Sequence, residues 1–151
     1  MNTQTMIRFI QEDEVDELLL LCKEHANYEK SEFSFEGKKK SLSDNLFCEP
    51  PLLYCLVVQH NSKLIGYATY MKQFSTWDAK YYIYMDCLFL NKSSRGLSFG
   101  EQLIHTIKEE AVKLECDLMQ WQTPTFNTGA IKFYNRIGAV SKNKERFFLN
   151  F

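Results

Sequence analysis

The sequence predicts an α/β fold of the α+β kind: a mixed, mostly antiparallel central sheet of about six strands flanked by about four helices. Three patterns predict it. The chain opens with a strand followed by two helical stretches. It continues through three hairpin-linked strands, and then alternates strand, helix, strand, helix, an order that sets parallel strands side by side through a crossover.

Met6 to Phe9 read as a short strand. From Gln11, the residues Leu18, Leu21, Cys22 and His25 fall on one face of a helix, and Glu12, Asp13 and Glu14 suit the positive end of its dipole. Residues 38–47, KKKSLSDNLF, predict a shorter helix that Pro50-Pro51 terminates. YCLVVQ, from Tyr54 to Gln59, reads as a buried strand, HNSK as a turn, and Leu64 to Phe74 as its hairpin partner. A second hairpin across STWDAK leads to the strand Tyr81 to Leu90. Leu103, Ile104, Ile107, Ala111 and Leu114 then form an apolar stripe at helical spacing. A strand at 117–123, a helix from about Thr128 to Ile137 ended by Gly138, and a last strand RFFLNF complete the expectation.

A chain of 151 residues suits one domain, 1–151, and its length lets it bury roughly 70% of the surface its unfolded form exposes. Aromatic residues make up 15%, enough to line a pocket as well as a core. A net charge of −1 argues against a nucleic-acid footprint, which needs a basic stripe, and favours a small-molecule partner. The five cysteines show no C-x-x-C pair, and the three histidines are not spaced near them as metal ligands; reduced thiols in a cytoplasmic protein, with no metal, are the simplest reading. The N-terminus turns acidic where a signal peptide would be apolar, and the longest apolar run, Leu52 to Val58, is too short for a membrane span.

Residues 92–113, KSSRGLSFGEQLIHTIKEEAVK, place Arg95, Gly96 and Gly100 just before an amphipathic helix, the arrangement of an anion-binding helix start. Residues 84–104, YMDCLFLNKSSRGLSFGEQLI, resemble the acetyl-coenzyme A motif of the GCN5-related N-acetyltransferase (GNAT) superfamily, which runs from a strand through R/Q-x-x-G-x-G/A into a helix. NTGAIKFYNRIGA, residues 127–139, is similar to the second motif of that superfamily. ANYEK at 26–30, PPLLYCLVV at 50–58, GYATYMKQFSTW at 66–77 and an acidic residue, Asp86, nine positions before Arg95 resemble the spermidine/spermine (diamine) branch. There are departures: Ser98 stands where the motif has a glycine, Asp86 where the branch commonly has Glu, and the sequence stops at Phe151 where the branch often runs on.

The resemblance implies a sheet with two central strands splayed apart and acetyl-CoA as cosubstrate. Backbone N–H groups of Arg95, Gly96, Leu97, Ser98, Phe99, Gly100 and Glu101 would cradle the pyrophosphate, with Arg95 adding charge. The pantetheine arm would lie along Leu88, Phe89 and Leu90, where a main-chain N–H can stabilise the oxyanion. Tyr134 would act as general acid toward the leaving thiolate, its alternative being a packed helix aromatic. Asn127 would contact pantetheine or cap its helix. Asp86 would help free the acceptor's lone pair, or else pair with a lysine. Tyr28, Glu29 and Trp77, together with Glu32 and Asp78, would form an amine-binding wall, or remain solvated. Lys38, Lys39 and Lys40 read as a solvated helix start rather than a contact to the adenosine phosphate. Cys87 reads as a packed strand residue, so direct attack of a small cationic amine on acetyl-CoA is favoured over an acyl-cysteine route. An aminoglycoside acetyltransferase, a protein or peptide acetyltransferase and a non-catalytic acyl-CoA-binding module are the rival readings. The branch also implies a homodimer.

Overall fold

The computed structural model describes residues 4–151. Strand β1 (Thr5–Phe9) leads through a 3-10 turn (Glu12–Glu14) into helix α1 (Val15–Tyr28), and α2 (Lys38–Leu46) follows. Next come β2 (Tyr54–His60), β3 (Lys63–Ser75), β4 (Lys80–Leu90), α3 (Phe99–Lys113), β5 (Met119–Gln120) and α4 (Thr128–Arg136). The turn before α1 is fixed by charge: the Glu14 carboxylate accepts from Arg8 Nη1 at 3.0 Å and from the Gln11 N–H at 2.9 Å. The arginine's hydrogen bond holds the Glu14 carboxyl below its ordinary range.

The sheet runs in the order β1-β2-β3-β4-β5. The first four strands are mutually antiparallel, and β5 lies parallel to β4. Alternation along the strands sorts two cores onto the two faces. Leu56, Val58, Ala68, Tyr70, Ile83 and Met85 meet Leu103, Ile104 and Ile107 of α3. Cys55, Val57, Tyr67 and Phe89 meet Leu18 and Leu21 of α1 and Leu46 of α2. The apolar stripes read from the sequence therefore face the sheet as expected, and Gly138, at φ +94°, ends α4.

Two expectations fail. The strand at 117–123 contracts to Met119–Gln120. RFFLNF forms no strand: Phe147, Phe148, Leu149 and Phe151 are 79% to 117% exposed, and among the described residues the sheet has five strands rather than six. Phe147, Leu149 and Phe151 do alternate as one strand face would, but β5 at the edge of the sheet spans only two residues and offers little backbone for a further strand to pair with.

Candidate active site

β3 and β4 pair Tyr70 with Met85 but Thr69 with Cys87, leaving Asp86 as the extra residue of a bulge. Its consequence is a change of parity along β4. Ile83 and Met85 face the α3 core, and without the bulge Cys87 and Phe89 would follow them there. Instead Cys87 and Phe89 face α1, while Leu88 and Leu90 take the α3 side. Asp86 itself is exposed. β5 pairs with β4 only at Ile83 and Tyr84, so the two strands part where the bulge begins, and β4 continues alone on that edge through Leu90. The splayed central strands thus arise from a short β5 and a bulged β4. Leu88, Phe89 and Leu90 lie on the freed stretch.

Beyond β4, the loop to α3 is shaped by left-handed residues. Gly96 has φ +79° and Ser98, the residue preceding the first turn of α3, has φ +65°. A glycine at the Ser98 position would be unstrained; serine carries the cost of its Cβ there. The Ser98 side chain does not cap α3; its hydroxyl accepts from Gln102 Nε2 at 3.2 Å instead. The leading N–H groups at Phe99, Gly100 and Glu101 therefore stay directed out of the helix end, as an anion site requires. Gly100 is buried, and a Cβ there would sit 3.4 Å from Phe133 and 3.7 Å from Leu90, so its smallness lets α3 start tight against α4 and β4. Leu97 is exposed, and the Glu101 carboxylate turns to Arg136 of α4 at 3.5 Å.

The Arg95 side chain also bridges the loop to its neighbours. Its Nε donates to the Leu90 carbonyl at 3.0 Å, and its guanidinium lies 4.2 Å from the centre of the Tyr28 ring and 5.5 Å from that of Phe89. Arg95 thereby ties the loop to the end of β4 and to α1.

Tyr134, on α4, packs edge-on to Trp121 at 5.2 Å between ring centres. Burial, reinforced by the nearby Glu29 and Tyr28, pushes its phenol up to about 12. Asn127 is the cap of α4: its Oδ1 accepts from the Ala130 N–H at 3.4 Å and also from the Tyr28 hydroxyl at 3.1 Å. Tyr28 and Glu29 from the end of α1, Tyr134 and Asn127 from α4, and Asp86 and Phe89 from β4 are thus gathered around the place where the strands part.

Trp77 is not gathered with them. It is 98% exposed at the tip of the β3–β4 hairpin, at the opposite end of β4 from the freed stretch. Asp78 accepts from the Ser75 hydroxyl at 3.2 Å and closes the turn. Of the lysine run, Lys39 pairs with Asp16 at 2.7 Å, Lys40 with Asp44 at 2.6 Å, and Lys38 lies over the Phe33 ring. Burial pushes the Cys87 thiol up to about 12, which keeps it from being a thiolate nucleophile at neutral pH. Among the described residues no group of His, Cys, Asp and Glu is arranged to hold a metal ion.

Two residues beside this cluster, His25 and Tyr67, were not assigned a role from sequence. His25 of α1 places Nε2 2.6 Å from the Glu29 carboxylate and Nδ1 2.8 Å from the hydroxyl of buried Tyr67. It also stacks on Phe89 with 5.0 Å between ring centres. The available signal was a histidine on the apolar face of a helix.

The Acetyltransferase (GNAT) family profile matches residues 13–139. A thialysine N-epsilon-acetyltransferase of Bos taurus is 28% identical over 142 residues, covering 89% of this chain and 83% of that protein. A spermidine/spermine N(1)-acetyltransferase-like protein of Homo sapiens is 25% identical over 146 residues; the match takes in 92% of this chain but only 21% of that longer protein. Among solved structures, an aminoglycoside N-acetyltransferase in complex with CoA superposes with a TM-score of 0.83 over 99% of this chain and 97% of its own, at 16% identity, a likeness of fold alone.

Proposed function

The chain belongs to the GNAT family of acetyl-CoA-dependent N-acetyltransferases, and from that premise we propose that it moves the acetyl group directly onto a primary amine of a small cationic acceptor, of the diamine, polyamine or thialysine kind. The observation that carries this reading is the gathering of Tyr134, Glu29 and Tyr28 beside the freed stretch of β4, with Asp86 on its bulge. The similarity to a thialysine acetyltransferase over most of both chains supports the acceptor class.

In this reading the start of α3 and its preceding loop hold the pyrophosphate, and the pantetheine arm runs along Leu88, Phe89 and Leu90. A main-chain N–H of that stretch receives the developing oxyanion, a contribution that grows as charge develops. An alkylammonium with a pKa near 10.4 costs about 4–5 kcal/mol to deprotonate at pH 7. Exposed Asp86 attracts the cation and orders the water that takes its proton. The neutral amine attacks the thioester carbonyl, and collapse of the tetrahedral intermediate expels coenzyme A. Full proton transfer from a phenol near 12 to a thiolate whose thiol titrates near 8.5 is uphill by roughly 5 kcal/mol, a difference that desolvation of the thiolate narrows. Tyr134 therefore works mainly by donating a hydrogen bond to the departing sulfur, and the ammonium of the intermediate supplies the proton balance.

We also propose a cytoplasmic homodimer. Five unpaired thiols fit a reducing compartment. The exposed aromatic run at 147–151 fits burial against a second copy.

The test is thiol release from acetyl-CoA against diamines, polyamines, thialysine, aminoglycosides and short peptides. Turnover of diamines, polyamines or thialysine at least tenfold above the rest is the expected result. Faster turnover of an aminoglycoside or a peptide would reassign the acceptor, and acetyl-CoA binding without any turnover would favour a binding module.

A further inference from the structure

His25 is a half-buried titratable group with two fixed partners and no part in the chemistry above. Its Nε2 lies 2.6 Å from Glu29 Oε2, and a carboxylate only accepts, so Nε2 carries the hydrogen. In the neutral ring Nδ1 is then the acceptor, and the Tyr67 hydroxyl, 2.8 Å away, donates to it. Phe89 stacks against the ring at an interplanar angle of 15°, which limits its rotation. The chain of hydrogen bonds runs from the buried face of β3, through α1, to the carboxylate beside Tyr28 and Tyr134.

We infer that His25 is a positioning residue for the acceptor: in its neutral form it fixes the Glu29 carboxylate as the counter-charge for a second cationic centre of the amine, and its protonation cancels that charge. The inference rests on the proposed acceptor class. The groups that act on His25 are Glu29 at the C-terminal cap of its own helix, Tyr67 on β3, Asp86 on β4 and Arg95 on the loop, while the thiols of Cys22 and Cys87 reach Tyr67. Desolvation outweighs the attraction of Glu29 and Asp86 and holds the imidazole below its ordinary 6.5, with Arg95 acting in the same direction. The ring is therefore neutral at pH 7. An acceptor carrying a single ammonium would not need Glu29, whereas a diamine would.

The experiment compares kinetics of His25→Phe and His25→Gln on a short diamine and on a monoamine of the same length. His25→Phe keeps the stacking shape and removes both hydrogen bonds. Its expected effect is a rise of about tenfold in KM for the diamine, with the monoamine and acetyl-CoA shifted less than about twofold and partial rescue in His25→Gln. In wild type, kcat/KM for the diamine gains extra slope below pH 6.5. That slope disappears in His25→Gln. Equal losses on diamine and monoamine, or an unchanged diamine KM in folded His25→Phe, would overturn the inference. Should wild type turn over no amine, so that the acceptor class itself has failed, nitrogen-15 NMR of the imidazole decides the remaining point. Glu29→Gln should lower the His25 pKa, and no movement would refute the coupling.

Discussion

Tyr134 is the residue whose loss has the clearest chemical reading. Tyr134→Phe keeps the packing against Trp121 and Phe133 and removes the hydrogen bond to the leaving sulfur. It should lower kcat on the order of 10²-fold with the KM for acetyl-CoA little changed. Because the phenol is pushed up to about 12, wild-type kcat should show no loss attributable to Tyr134 below about pH 11. His25 adds a stability prediction. Its folded pKa is lowered from 6.5, so below pH 6.5 the unfolded chain binds more protons and stability falls as pH falls. Thermal melts across pH 5–7 should show a smaller fall in His25→Phe. Ser98→Gly should stabilise by about 1 kcal/mol in denaturant titrations, because its φ of +65° strains any residue with a Cβ. Tyr134, Asp86 and Glu29 could be named from sequence as candidates because residue type and motif position are local. The role of His25 could not, since its Nδ1 partner Tyr67 lies 42 positions away and their meeting depends on how α1 lies on β3.

At the scale of elements, the site depends on how β3 holds the end of β4. Gly66 pairs with Leu90, and a Cβ on Gly66 would lie 2.8 Å from the Phe89 carbonyl oxygen and even closer to the Leu90 side chain. Gly66→Ala must push the freed stretch of β4 outward. A loss of about 1–3 kcal/mol in chemical denaturation is expected, together with a raised KM for acetyl-CoA. The run YYIYMDCLFL reads in sequence as one unbroken strand. Whether an extra residue is extruded depends on the partner's register, which no local pattern encodes, so the bulge at Asp86 and the change of face after it appear only in the fold. The long helices were legible for the opposite reason: their apolar stripes repeat over several turns.

At the scale of the whole molecule, the order of the elements from β1 to α4 followed from alternation and helical spacing, whereas the division of helices between the two sheet faces appears only in the fold. The expected sixth strand did not form: RFFLNF has β-forming residues and an alternating apolar face at Phe147, Leu149 and Phe151, but a strand also needs a partner edge, and β5 is only Met119–Gln120. If that segment is the seat of a dimer, removing residues 146–151 should convert a dimeric mass in light scattering to a monomeric one, while a wild-type monomer at all concentrations would refute the dimer. The whole account turns on chemistry at the parting of β4 and β5, and the most direct measurement is thiol release from acetyl-CoA with a short diamine, wild type and Tyr134→Phe side by side. Robust wild-type turnover, reduced about a hundredfold in a folded variant with an unchanged KM for acetyl-CoA, is the predicted result. Equal turnover in the two proteins would contradict it and remove Tyr134 from the mechanism.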